Sequence, residues 1–133
     1  MKNILYTIIL CLLSTNLFAE ERYSCTVEEF STSSSEEEFI EQNLKRQFLI
    51  TVTEDQIFTT MILFNNRQYQ NIYTIIGRGL SKTVAVNDEP MQSGRSAILI
   101  IDTNINDKKR EIKAIVTLYD RISIRLVWFL KCL

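Results

Sequence analysis

The stretch FLITVTEDQIFTTMILFNNRQYQNIYTII, residues 48–76, decides the fold class of this chain. It contains three runs rich in β-branched and aromatic residues, and each run is typical of a β-strand. Only a few turn-forming residues separate the runs, whereas parallel strands need crossover connections of about a dozen residues or more. The stretch therefore predicts three strands that each pair antiparallel with the next.

The same succession of runs and turns continues to the end of the chain. The predicted strands cover residues 48–54, 56–64, 69–76, 80–87, 96–102, 110–119 and 122–131. With a further strand around Cys25 there are about eight. A meander of short antiparallel strands predicts a mainly β domain that forms a small barrel or a strongly curved sheet, and a two-layer sandwich is the alternative.

Residues 1–19 have the pattern of a secretory signal peptide. Lys2 carries the positive charge, an apolar core runs from Ile4 to Leu13, and Ala19 is the small residue expected before the cleavage site. An uncleaved membrane anchor is the alternative, but a spanning helix needs roughly 18–20 apolar residues. We therefore expect a signal peptide, residues 1–19, followed by one β-rich domain, residues 20–133, that is periplasmic or secreted.

Two cysteines lie at opposite ends of the expected mature chain, Cys25 on the first strand and Cys132 on the last. In both strands the cysteine belongs to the period-two face that carries apolar residues, so both thiols are expected to point into the core. An even number of cysteines in an exported chain indicates a disulfide. We predict a Cys25–Cys132 bond between the first and last strands, and a redox or metal-binding pair is the alternative.

One segment, residues 31–46, has helical rather than alternating character. Ser35 and Glu38 have the spacing of a capping box, and acidic residues fill the expected first turn. A narrow apolar stripe is available for packing: Phe39, Ile40 and Leu44. We expect one short helix here that covers an opening of the sheet. The alternative is an extended, solvent-exposed loop, because serine-rich and glutamate-rich runs often form loops.

Charge is distributed unevenly along a chain whose formal net charge is only −1. Residues 20–41 hold eight carboxylates and one base, whereas residues 42–133 hold eight carboxylates and thirteen bases. Either the acidic segment lies against a basic face of its own domain, or the two surfaces are offered to partners. Phe129 is a further candidate, because alternation places it opposite Trp128 with Val127 beside it. The candidate partner-binding residues are Glu36, Glu37, Glu38, Glu41 and Phe129.

Composition excludes several classes of function. The chain has no histidine, which removes histidine-assisted nucleophilic catalysis and the commonest metal ligand. It has no basic surplus for binding nucleic acid, and candidate acids such as Glu54 and Asp55 fall in predicted turns. An enzyme would need two carboxylates that converge in a cleft. We expect no enzyme, no cofactor, no metal, no nucleic-acid partner and no stable membrane insertion after signal cleavage.

In outline the chain resembles the small exported bacterial β-proteins that begin with a Tyr-x-Cys strand and end in a cysteine, among them the periplasmic inhibitors of lysozyme. The matching residues are Tyr23-Ser24-Cys25, Ser93-Gly94 and Cys132. The chain departs from these inhibitors after Ser93-Gly94, where they place a tyrosine and this sequence continues with Arg95, Ser96 and Ala97. The resemblance implies that this architecture supports protein–protein inhibition.

The leading expectation is a non-enzymatic interaction protein that uses the acidic segment. Its specific form would be an inhibitor or immunity-type partner of a basic enzyme. A carrier of a small apolar ligand inside the barrel is the alternative, because an eight-stranded barrel is either filled by side chains or hollow. A filled interior would argue against the carrier.

Overall fold

The computed structural model describes residues 19–87, 95–103, 112–120 and 125–133. The elements in chain order are β1 (Glu21–Thr32), α1 (Glu37–Leu44), β2 (Gln47–Val52), β3 (Gln56–Ile62), β4 (Gln68–Arg78), β5 (Lys82–Val86), β6 (Arg95–Asp102), β7 (Ile112–Asp120) and β8 (Arg125–Cys132). Each strand pairs antiparallel with the next, and β8 pairs with β1. The predicted β meander is confirmed, and it forms a closed barrel rather than a sandwich.

Inward-facing side chains of all eight strands form one hydrophobic core. Its buried members are Cys25, Phe48, Ile50, Val52, Ile57, Tyr73, Ala85, Ala97, Leu99, Ile101, Ala114, Val116, Trp128, Leu130 and Cys132. Small residues pair with large ones across the ladders, since Ala85 lies opposite Leu99 and Ala114 lies opposite Ile101. This alternation lets the walls of a narrow barrel interdigitate at the density of a protein interior.

The predicted Cys25–Cys132 disulfide is confirmed, and it lies at the seam where the barrel closes. The two cysteines are direct partners in the β1–β8 ladder. The neighbouring pair, Ser24 and Leu133, exchanges both backbone hydrogen bonds, at 3.1 and 3.0 Å. The cysteines therefore occupy a non-hydrogen-bonded position, where facing Cα atoms come closest. Their Cα atoms are 4.0 Å apart.

The predicted helix is confirmed, but the predicted capping box is wrong. Glu36 is the N-cap residue and makes no side-chain cap hydrogen bond, and the helix begins at Glu37. The backbone N–H of Glu36 donates to Oγ of Ser34 at 3.3 Å, which turns the chain before it enters the helix. Ser35 and Glu38 therefore stand one position too early to cap this helix.

Two predicted features lie largely or wholly outside the described residues. They are the signal peptide, of which only Ala19 is described, and the Ser93-Gly94 pair. Within the described residues, no helix has the length and apolar character needed to cross a membrane.

Tyr73 makes the stability of the core dependent on pH. Burial raises the pKa of its phenol from the ordinary value of 10.0 to about 12, against a smaller lowering by its hydrogen bond with Thr59. The folded state therefore holds this proton more tightly than the unfolded state. The stability contributed by Tyr73 is complete below pH 10 and is lost as the pH rises towards about 12.

We expect this loss to reach about 2–3 kcal/mol in the free energy of unfolding. Urea unfolding at a series of alkaline pH values measures this loss. Tyr73→Phe is the matched variant, and its free energy of unfolding is expected to fall less steeply as the pH rises. Burial and a hydrogen bond to Glu21 also raise the pKa of Tyr23. The contribution of Tyr23 to the pH dependence is the same in the wild type and in Tyr73→Phe. If the free energy of unfolding falls equally steeply with pH in the wild type and in Tyr73→Phe, Tyr73 is not the source of the pH dependence.

Candidate protein-binding site

Helix α1 lies at the end of the barrel where β1 leads into β2, and aromatic side chains attach it to the core. The ring of Phe39 on the helix meets the ring of Phe30 edge-on, with centroids 5.9 Å apart. Phe30 in turn lies 5.4 Å from Trp128, which is itself 5.9 Å from Phe48. Edge-on and tilted ring pairs of this kind add stabilisation beyond the area that they bury.

Asn43 is the buried polar residue of the helix, and its side chain is fully enclosed. Its Nδ2 donates to the carbonyl oxygen of Phe39 at 2.8 Å, and its Oδ1 accepts a hydrogen bond from Nε1 of Trp128 at 3.2 Å. Both ends of the amide are therefore partnered, as a buried polar group requires. Sequence analysis missed Asn43 and expected Leu44 in the buried stripe, but Leu44 is 40% exposed.

Arg46, just after the helix, also contacts Trp128. Its guanidinium carbon lies 5.5 Å from the centre of the indole ring, and Nη1 donates to Sδ of Met61 at 3.3 Å. Burial lowers the pKa of Arg46, and the nearby Tyr69 phenol opposes this effect. An arginine remains charged at physiological pH even so. The cation–π contact therefore adds to the aromatic packing that fixes α1 on the barrel.

The four predicted carboxylates lie together at the start of α1. Glu36 is the N-cap residue, Glu37 and Glu38 form the first turn, and Glu41 follows one turn later, all four being exposed. Oε1 of Glu38 accepts a hydrogen bond from Nε2 of Gln42 at 3.0 Å. No basic side chain in the described part of the chain lies within 4.0 Å of these carboxylates, unlike Glu28, which meets Lys113 at 4.0 Å.

Phe129 lies apart from this acidic cluster. It is on the outer wall of β8, where its ladder partners are Glu29 on β1 and Ile115 on β7. The residue is half-buried. Its expected companion Val127 is only 4% exposed, so the two do not form an open apolar patch. The structure thus brings four of the five candidate residues together and places Phe129 elsewhere.

The outward side of β2, β3 and β4 forms a second surface that sequence analysis did not single out. Strand alternation places eleven uncharged residues on it: Gln47, Leu49, Thr51, Gln56, Phe58, Thr60, Ile62, Gln68, Gln70, Ile72 and Thr74. We call this surface the neutral face. It carries two shallow grooves of about 450 and 460 Å³ that share Phe58 and Thr60. The sequence carried a signal for this surface, because the outward-facing positions of the three strands within residues 47–74 all hold uncharged residues.

The fold and the site together define a small barrel closed by a disulfide, with an acidic helix across one end. No protein-family model matches the chain, and neither a curated protein nor a solved structure is significantly similar to it. The protein presents a fixed cluster of negative charge on α1 and an uncharged sheet face, the neutral face, on the barrel wall.

Proposed function

We propose that this chain is an exported, non-enzymatic binding protein that engages a basic protein through the acidic cluster Glu36, Glu37, Glu38 and Glu41. The observation that carries the proposal is the exposure of these four carboxylates without a cationic partner among the described residues. The exposure of the acidic cluster supports an interaction with a partner, whereas Glu28 of the same segment meets Lys113 of its own domain.

The energetics of the helix support this proposal. The positive end of the helix dipole favours acids in the first turn, which accounts for Glu37 and Glu38 on structural grounds alone. Glu41 lies beyond that turn and stands four residues after Glu37, and like charges at this spacing destabilise a helix by a few tenths of a kcal/mol. A basic partner would offset this repulsion, and the concentrated charge would also accelerate its association.

The attachment of α1 supports tight binding. Trp128, Asn43 and Arg46 hold the helix on a barrel that the disulfide closes, so the acidic cluster is ordered before any partner arrives. A binding surface ordered in advance loses less conformational entropy on association. The specific form that we favour is an inhibitor or immunity-type partner of a basic enzyme. The disulfide is compatible with a periplasmic or secreted location, because such bonds persist in oxidising compartments.

The carrier alternative has no comparable support. The inward-facing side chains of the described residues pack into one core, and the two grooves lie on the outer wall. A ligand inside the barrel would have to displace residues such as Leu99 and Leu130, which are almost completely buried.

A capture experiment tests the acidic cluster. The immobilised protein is incubated at low ionic strength with an extract of the compartment into which the full chain is exported. We expect it to retain a protein of basic isoelectric point, and Glu36→Gln/Glu37→Gln/Glu38→Gln to bind that protein at least about tenfold more weakly. The control is Glu54→Gln/Asp55→Asn, which removes two exposed charges from the β2–β3 turn and is expected to bind normally.

Salt provides the second readout of this prediction. Rising ionic strength is expected to weaken the wild-type complex more than the residual complex of the triple variant, because exposed charges are screened. Equal affinity of the wild type and the triple variant would refute the proposed role of the acidic cluster.

A further inference from the structure

The neutral face differs in charge from another part of the barrel wall. Its eleven outward residues on β2, β3 and β4 carry no charge. On β5 to β8, a single row across the ladders consists of four charged residues: Lys82, Asp102, Lys113 and Lys131. Soluble proteins intersperse charges over their surface, which keeps them in solution. The uncharged surface of three neighbouring strands is therefore a candidate for ligand binding.

Three exposed apolar side chains cross the neutral face. Phe58 on β3 faces Ile72 on β4 directly, and Leu49 on β2 is a diagonal neighbour of Phe58. Each of the three is at least 40% exposed. Both facing and diagonal neighbours of a sheet are within reach of large side chains. We call these three residues the apolar track, and the phenyl ring of Phe58 is at its centre.

A groove of about 460 Å³ continues from the apolar track towards β1. Its outward-facing lining on the three strands consists of Arg22, Ser24, Leu49, Thr51, Phe58 and Thr60. Arg22 is the charged member of this set, and its Nε already donates to Oε1 of Glu20 at 2.7 Å. A ligand in this groove therefore meets the ring of Phe58 together with the hydroxyl groups of Thr51 and Thr60.

The polar residues of the neutral face indicate the kind of ligand. Seven of its eleven residues are glutamine or threonine, and their amides and hydroxyls both donate and accept hydrogen bonds. Thr51 faces Phe58 from β2, and Thr60 faces Gln70 in the next row of the ladder. Sugar rings have matching chemistry, because their hydroxyl groups also donate and accept, and the C–H groups on their faces pack against apolar and aromatic side chains.

We propose that the neutral face binds an uncharged polysaccharide whose sugars are joined by equatorial β-glycosidic bonds. Such a chain is an extended ribbon, so successive rings lie over the apolar track while their hydroxyl groups bond to the neighbouring threonines and glutamines. From Ser24 on β1 to Ile72 on β4 the site crosses three strand spacings, roughly 14 Å, which accommodates several rings. The site is separate from the acidic cluster, so the proposal does not depend on the proposed function.

The same chemistry argues against a protein as the occupant. Two copies of the chain packed face to face would bury the seven glutamines and threonines of each copy. Donors and acceptors that lose water without a well-placed partner cost free energy. The hydroxyl groups of a polysaccharide are numerous and provide both donors and acceptors. An interface with a different protein more often relies on complementary charges, which the neutral face lacks.

Isothermal titration calorimetry of the purified protein, expressed as the full chain, tests the site with cellohexaose and with chitohexaose. We expect saturable binding of at least one of these extended hexasaccharides, and binding at least about tenfold weaker to Phe58→Ala. Maltohexaose, whose α-linked chain coils, is expected to bind more weakly than the better ligand. The matched control Phe64→Ala alters a more exposed phenylalanine in the β3–β4 turn, outside the neutral face, and is expected to bind normally.

A second variant removes a single hydroxyl group. Thr60→Val keeps a β-branched side chain that favours the strand, and it is expected to bind about three- to tenfold more weakly. Circular dichroism establishes that each variant is folded, and Thr60→Val decides the question if Phe58→Ala is not. Binding is expected to be insensitive to ionic strength, because the ligand is uncharged. The triple glutamine variant of the acidic cluster is expected to bind the hexasaccharides normally, so the two proposals fail separately.

Three results would overturn the proposal. The first is no binding of either extended hexasaccharide, or equal affinity of the wild type, Phe58→Ala and Thr60→Val. The second is binding of maltohexaose as tight as that of the better extended ligand. The third is a wild type that is dimeric in sedimentation equilibrium and that Phe58→Ala makes monomeric, which would assign the neutral face to a second copy of the chain.

Discussion

Replacement of both Cys25 and Cys132 by alanine is expected to lower the free energy of unfolding by about 4 kcal/mol. The bond joins residues 107 positions apart, so its loss frees almost the entire domain in the unfolded state. The chain-entropy treatment assigns roughly 4–5 kcal/mol to a loop of this length. Alanine is chosen because both cysteines are buried, and a serine hydroxyl there would add a desolvation cost.

Urea unfolding followed by the fluorescence of Trp128, the single tryptophan, measures this loss. The hydrogen bonds between Ser24 and Leu133 remain in the double alanine variant, so its circular dichroism spectrum is expected to match that of the wild type. Reduction of the wild-type protein is the independent control and is expected to give a similar loss. A loss below about 1 kcal/mol would show that the β1–β8 ladder closes the barrel without help from the bond.

Trp128→Ala is expected to destabilise the protein by about 3–5 kcal/mol. This single side chain contacts Phe30 and Phe48, lies under the guanidinium of Arg46 and donates a hydrogen bond to Asn43. Its removal leaves a large cavity where α1 meets the barrel. We therefore expect the helix to detach at lower urea concentrations than those that unfold the barrel.

Two further variants separate the contributions of Trp128. Trp128→Phe retains a buried ring but leaves Oδ1 of Asn43 without its donor, which is expected to cost about 1–3 kcal/mol. Phe129→Ala, one position along on the outer wall, is the matched control and is expected to cost less than Trp128→Ala, because Phe129 is only half-buried. Circular dichroism monitors unfolding in all of them. Equal losses for Phe129→Ala and Trp128→Ala would contradict the central role of Trp128.

The strand pairing and the inward faces of the strands follow from local pattern and were predicted correctly. Residues 48–76 alternate and are interrupted by short turns, which is sufficient to specify neighbouring antiparallel strands. The same alternation placed Cys25 and Cys132 on inward faces. Reasoning from local pattern failed at the start of α1, where two neighbouring serines could each accept a backbone hydrogen bond. Oγ of Ser34, not that of Ser35, accepts the bond that turns the chain before the helix. The energy difference between such alternatives is too small for a sequence pattern to resolve.

Features that depend on distant partners were not predicted. Asn43 is polar and was overlooked, because its burial is tolerated only through Trp128, which lies 85 residues further along the chain. Alternation placed Phe129 on the face opposite Trp128, but the burial of Val127 beside it was not foreseen.

The sequence by itself determined the antiparallel order of the strands, their inward faces and the pairing of the two cysteines, because these follow from the two-residue period of a strand and from short connections. Only the tertiary structure decided that the meander closes into a barrel, that α1 is fixed through Trp128, and that the acidic cluster has no cationic partner among the described residues. Each of these depends on contacts between residues far apart in the chain, and a local pattern of side chains carries no information about such distances.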